Sequence, residues 1–285
     1  MQQPGRVLTH PALARRRFEE MAGRPEPLLD LVEASLVIDL EEDPRLDVDR
    51  HLQDVQAWSD AVRERLEGSR DVERIVGTIN RLLYDEEGFH GENEDYYDPR
   101  SALLSEALDR HSGLPITLSI LYLELSRRAG IEAAGVALPG RFLVKFTGPF
   151  GVIVVDPFDG GRVLSTLELQ KILDGMYGGG VQLREHHLRS FTPRQILARE
   201  LAQLKAAYLA QRDLTRAAAS IDRLLILDAR DAYEVRDRAA LAMQMHAYAL
   251  AIDLFERYLT LTPSADDRTR VREQIEYLRA WLDQN

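Results

Sequence analysis

The chain of 285 residues has no cysteine. That excludes disulfides, thiolate metal sites and a thiol nucleophile. Long apolar runs are missing too. The run GVIVV at 151–155 is far short of the about 20 residues a membrane-spanning helix needs. The opening, MQQPGRVLTHPALARRRFEE, has no continuous apolar segment and soon turns charged, unlike a secretory leader. Basic charge is scarce: 36 Lys and Arg face 47 Asp and Glu, a net charge of −11. The imbalance is local. Residues 194–285 carry 14 of each sign, so the whole excess falls in 1–193, with 22 basic and 33 acidic side chains. An acidic surface of this kind disfavours polyphosphate, so direct nucleic-acid binding is not expected. These absences predict a cytoplasmic protein with no membrane contact and no cofactor.

What is present is a chain with 45% apolar residues, enough for two cores at about 150 residues per domain. Apolar residues at three- and four-residue steps predict helices over 11–22, 27–38, 47–66 and 71–83. Gly88, Gly91 and Pro99 break the period and predict a loop over 85–100. Helices are expected at 101–109 and 114–129, with Gly130 placed as a C-terminal cap. Alternating segments at 133–138 and 141–146 read as strands. RFLVKF and VIVVDPF, joined by TGPFG, read as a hairpin. A register in which paired residue numbers sum to 297 would set Arg141 opposite Asp156 as a bidentate ion pair; a sum of 298 would instead pair Arg141 with Pro157. A helix over 165–175 and a strand-like segment over 181–188 follow. In such a strand His186 and His187 would point to opposite faces, which excludes a shared ligand role.

After Pro193 the pattern is purely helical and repeats every 34 residues: Ala217 and Ala251, Ile221 and Phe255, Leu225 and Leu259, Ala229 and Pro263. Tyr208 lies nine residues before Ala217, with Ala242 at the same place in the second copy. Small residues suit close helix crossings and bulky ones fill the space beside them. The pattern resembles the tetratricopeptide repeat, with copies at 198–231 and 232–265 and a capping helix at 266–283. The expected domains are therefore 1–190 and 191–285. Two repeats are few for a free-standing solenoid, so the second domain is expected to dock on the first.

The segments YYDP at 96–99, GLPITLSILYLELSRRAGI at 113–131, GVALPGRFLVKF at 135–146, DPFDGG at 156–161 and RDRAAL at 236–241 carry a wider likeness. In this order they resemble a bacterial family with a transglutaminase-like (papain-like) core, a helical N-terminal extension and a tetratricopeptide C-terminus. Some of its members are named as regulators of invasion-gene transcription in enterobacteria. The resemblance implies an α+β, mostly helical protein. It also implies where a Cys-His-Asp triad would lie: a Cys opening the helix, a His on the first strand and an Asp on the second. Here those positions read Pro115, Arg141 and Asp156. The family usually has His in the PG-His-F motif where this chain has Pro139-Gly140-Arg141-Phe142. Proline has no nucleophile and arginine stays protonated, so the triad is degenerate.

Other candidates are weaker. Thr117 and Ser119 lie in the first turns of the same helix, and His111 precedes it. A hydroxyl nucleophile would need that histidine as its base; local capping by the hydroxyls is the simpler reading. His90, Glu92, Glu94, Asp95 and Asp98 sit in an acidic loop able to offer oxygen and nitrogen ligands, but their spacing fits no calcium loop, and no metal is expected. Arg199, Gln203, Lys205, Arg236 and Arg238 lie on the helices expected to line a peptide-binding face. The expected function is a non-catalytic regulatory or adaptor protein that binds a protein or peptide. The alternative is an amide hydrolase that uses a hydroxyl or a metal in the same cleft.

Overall fold

The computed structural model describes residues 10–92, 98–148 and 151–284. The chain divides into two compact units, Met1–Glu200 and Leu201–Asn285.

The first unit opens with helices α1 (His10–Ala22), α2 (Leu31–Glu42), α3 (Val48–Leu66) and α4 (Val72–Asn80). Asp30, Asp47 and Asp71 cap the last three, each carboxylate accepting a first-turn N–H. The expected start of α2 at 27 is corrected to Leu31. Pro25 and Pro27 hold a 3-10 turn over Glu26–Leu28, and the cap at Asp30 sets the true beginning.

Beyond Asn80 the backbone does not become loop. It widens into a π-helix over Arg81–Glu86, closed by the Glu87 N–H on the Leu82 carbonyl. Arg65 grips both oxygens of Glu86 at its end, and Tyr84 bonds the Pro157 carbonyl from its middle. Periodicity alone does not show such tertiary ties, which is why the 85–100 segment misled. That segment also contains strand β1 (His90–Gly91) and the start of α5 (Pro99–Ala102). After α6 (Leu104–Arg110), strand β2 (Ser112–Gly113) pairs in parallel with β1.

Helix α7 (Pro115–Arg128) is the buried centre of this unit. Ten of its side chains between Ile116 and Leu125 are buried, including the Tyr122 ring. It packs on an antiparallel sheet ordered β3 (Ala133–Leu138), β4 (Arg141–Gly148), β5 (Gly151–Asp156) and β6 (Arg162–Leu164). Helix α8 (Thr166–Tyr177) covers the other face through Leu169 and Leu173, against Val136, Leu143 and Val154. Segment 181–188 is not a strand. It ends in a 3-10 turn over Glu185–Leu188, where the His186 and His187 rings lie together at 4.0 Å.

Helix α9 (Pro193–Ala210) runs through the boundary between units. The second unit holds its C-terminal half with α10 (Leu214–Leu227), α11 (Ala232–Gln244), α12 (Tyr248–Leu261) and α13 (Arg268–Gln284). Ala217, Ala239, Ala242 and Ala251 have no exposed surface, as close helix crossings require. Phe255 and Tyr258 fill the space beside them, and Val271, Ile275 and Leu278 bring α13 over the last apolar face.

Candidate functional site

The hairpin fixes the site. Its register sums to 299: Val144 pairs with Val155, and Gly148 with Gly151 as the closing pair. Gly151 sits at φ 131°, a conformation that side chains resist, so the turn closes one residue later than the expected sum of 297 requires. Both sums are odd, so the faces are unchanged. Arg141 therefore lies diagonal to Asp156, not opposite it, yet on the same side of the sheet. Its Nη1 donates to Asp156 Oδ2. The pair is not bidentate, because Asp156 Oδ1 accepts the Phe158 N–H at 3.1 Å and caps the turn Pro157–Asp159. Asp156 is 1% exposed at its side chain and Arg141 39%, so the carboxylate is internal and the guanidinium reaches solvent.

The loop after Asp156 is clasped from the helical side. The Gly161 N–H closes on the Asp156 carbonyl at 2.9 Å. Asn80 donates to the Gly161 carbonyl at 2.7 Å and accepts from the Tyr122 hydroxyl at 2.9 Å. Tyr84 donates to the Pro157 carbonyl at 2.8 Å. Burial, together with the negative charge of Asp156, pushes the Tyr84 phenol well above its usual range. Burial likewise raises Tyr122, with Tyr84 adding to it. Both phenols are therefore neutral donors at ordinary pH. The sequence did not single out Asn80, Tyr84 or Tyr122; Asn80 and Tyr84 hid in an apparently ordinary helix end.

Pro115 occupies the first position of α7, where its missing N–H costs nothing. The turn Pro157–Asp159 packs against α7 and β1, which brings the Asp156 end of β5 to this helix. Thr117 and Ser119 are fully buried. Their hydroxyls donate to the Leu114 and Phe142 carbonyls, each at 2.9 Å. His111 stacks on Phe89 at 4.6 Å, with Trp58 edge-on to both rings, and its Nδ1 meets the Glu87 carbonyl. Among the described residues no hydrogen bond joins Thr117, His111 and Asp156.

The acidic loop gives no metal geometry among the described residues. His90 Nδ1 lies 3.3 Å from the Gly88 carbonyl, Glu92 faces Arg110 at 3.6 Å, and Asp98 caps α5 while bonding Arg100. Glu94 and Asp95 lie outside the described residues.

The cations expected on the helical face are already engaged. Lys205 ties α9 to α11 through Glu234 and Asp237, at 2.8 and 2.6 Å. Arg236 meets Asp267 at 3.4 Å and lies over the Tyr233 and Tyr258 rings. Arg238 bonds Asp222 at 2.7 Å. In the first unit, Arg199 lies over the Phe142 ring at 5.8 Å. Gln203 is half-buried. Among the described residues, the most exposed aromatic side chains are Tyr233, 71% exposed on α11, and Tyr277, 68% exposed on α13.

Comparison with known proteins agrees with this architecture. A family model described as transglutaminase-like superfamily matches residues 49–202, and a tetratricopeptide-repeat model matches 204–276. A UPF0162 protein of Xylella fastidiosa is 32% identical over 261 residues, covering 90% of this chain and 93% of that protein. A UPF0162 protein of Vibrio cholerae is 29% identical, covering 88% and 93%. F-box only protein 21 of Mus musculus is 30% identical over 108 residues, which cover 35% of this chain and 17% of that one. No solved structure matches.

Proposed function

Because the chain belongs to the transglutaminase-like superfamily and continues into tetratricopeptide repeats, we propose that it is a non-catalytic adaptor or regulatory protein. One observation carries this reading. The nucleophile position is Pro115 at the start of α7, and the base position is Arg141, which is spent on Asp156. The former acid-base pair has become a structural ion pair. Tetratricopeptide repeats generally mediate protein–protein contacts, and Tyr233 and Tyr277 supply exposed aromatic surface of the kind such contacts use. The hydroxyl-hydrolase alternative loses support, since Thr117 and Ser119 are buried and bonded to backbone.

The test pairs two assays on the full chain. Ammonia release from glutamine-containing peptides is expected to stay at background. A partner captured from lysate of the native organism is expected to be lost on Tyr233→Ala or Tyr277→Ala, with folding retained by circular dichroism. Turnover that survives Pro115→Ala, or capture indifferent to both substitutions, overturns the proposal.

A further inference from the structure

Far from the degenerate triad, at the other end of β4, two cavities of about 610 and 500 Å³ share the walls Arg70, Val72 and Gly148. Gly148 is seven residues along the strand from Arg141, roughly 23 Å at 3.3 Å per residue. Leu66, Ile75 and Phe146 from the buried core form an apolar floor in the smaller cavity. Each cavity has the volume typical of small-molecule sites.

The charged wall residue is unusual for its neighbourhood. Nearby arginines are all committed: Arg63 to Asp60 at 2.6 Å, Arg65 to Glu86 at 2.8 Å and Arg74 to Glu67 at 3.3 Å. Arg70 makes no hydrogen bond or ion pair with any described residue. In a chain of net charge −11, the Arg70 guanidinium uses none of the acidic side chains among the described residues. Its place on the shared wall of both cavities leaves it available to a ligand.

We propose that these joined cavities bind a monocarboxylate with an apolar body, its carboxylate on Arg70 and its hydrocarbon over Leu66, Ile75 and Phe146. An Arg–carboxylate pair is planar and directional, and the exposed Arg70 offers its guanidinium at the edge shared by both cavities. Glu73 and Glu132 also border the cavities, and their charge opposes any anion, a phosphate or other polyanion more than a monocarboxylate. The Asp71 carboxylate does not compete for Arg70, because it caps α4 by accepting the Glu73 N–H at 3.0 Å.

The test is calorimetric titration of the full chain with octanoate, octanol, octylamine and leucine. Octanoate is expected to give saturable binding, with octanol and octylamine at least tenfold weaker. Arg70→Gln is expected to weaken octanoate at least tenfold without moving the unfolding midpoint, since Arg70 contacts nothing that folding needs. Arg70→Lys keeps the charge and is expected to retain part of the affinity. Equal binding of octanol would show that the carboxylate is not read. Tighter binding of leucine would show a zwitterion site instead. Undiminished octanoate binding by Arg70→Gln, or no heat with octanoate at all, would also overturn the proposal.

Discussion

Substitution of Gly161 by alanine tests whether Asn80 truly holds the Asp156 loop. Gly161 has φ +69°, and a Cβ built there would stand 1.9 Å from Asn80 Oδ1 and 2.4 Å from its Cγ. Two costs follow. The left-handed backbone costs an alanine about 1–2 kcal/mol. Asn80 must also leave, which breaks its bond to the Gly161 carbonyl and strands the Tyr122 hydroxyl, whose residue is fully buried. A stranded buried hydroxyl costs about 1–3 kcal/mol. Gly161→Ala should therefore destabilise the first unit by about 2–5 kcal/mol. Asn80→Ala alone breaks the same two bonds and relieves the overlap in advance. The double variant should then fall short of the sum of the singles by about 1–3 kcal/mol, a coupling expected only of touching residues. Urea unfolding followed by Trp58 fluorescence reads the first unit, because Trp58 packs edge-on against Phe89 at 5.5 Å. Trp281, the other tryptophan, is replaced by Phe in every variant to silence the second unit. A Gly161→Ala variant within about 1 kcal/mol of the parent, or simple additivity with Asn80→Ala, would refute the clasp.

Three further outcomes are expected. Glu168 accepts from the Ser165 hydroxyl and N–H and pairs with Arg162, which lowers its pKa from 4.5 to about 2. Its folded pKa lies below its unfolded one, so its stabilisation is present above about pH 4.5 and is lost as pH falls through about 2. The Tm deficit of Glu168→Gln should accordingly shrink over that window, and a pH-independent deficit would contradict it. In the second unit, burial lowers the Lys205 pKa, but bonds to Asp237 and Glu234 win and leave it raised. Lys205→Ala leaves those two carboxylates facing each other and should cost about 1–3 kcal/mol in denaturant unfolding; a neutral result would mean that the tie is idle. Finally, Pro115→Cys with Arg141→His should not create amidase turnover above background, because a triad without preorganised oxyanion donors has little power. Robust ammonia release by that double variant would show that the rest of the machinery persists.

Much of this protein was legible from sequence because it depends on local rules. The helices around 11–22, 47–66 and 71–83 follow from apolar residues at three- and four-residue steps, whereas the start of α2 at Leu31 is set by the cap at Asp30. The 34-residue repeat follows from alanines that let paired helices touch. The hairpin itself follows from the alternation of RFLVKF and VIVVDPF, but its parity, and with it the shared face of Arg141 and Asp156, is set by the register of the folded sheet. That Pro115 offers no nucleophile and Arg141 no base is side-chain chemistry, which no packing can reverse. What the tertiary structure decided lies where distant segments compete for the same groups. Gly151 moved the register by two and made the ion pair diagonal. Tyr84 and Arg65 pulled an apparent loop into a π-helix. Lys205, Arg236 and Arg238 found carboxylates on neighbouring segments, while Arg70 found none among the described residues. Such choices depend on which charge lies within reach after folding, and spacing along the chain holds no record of that distance.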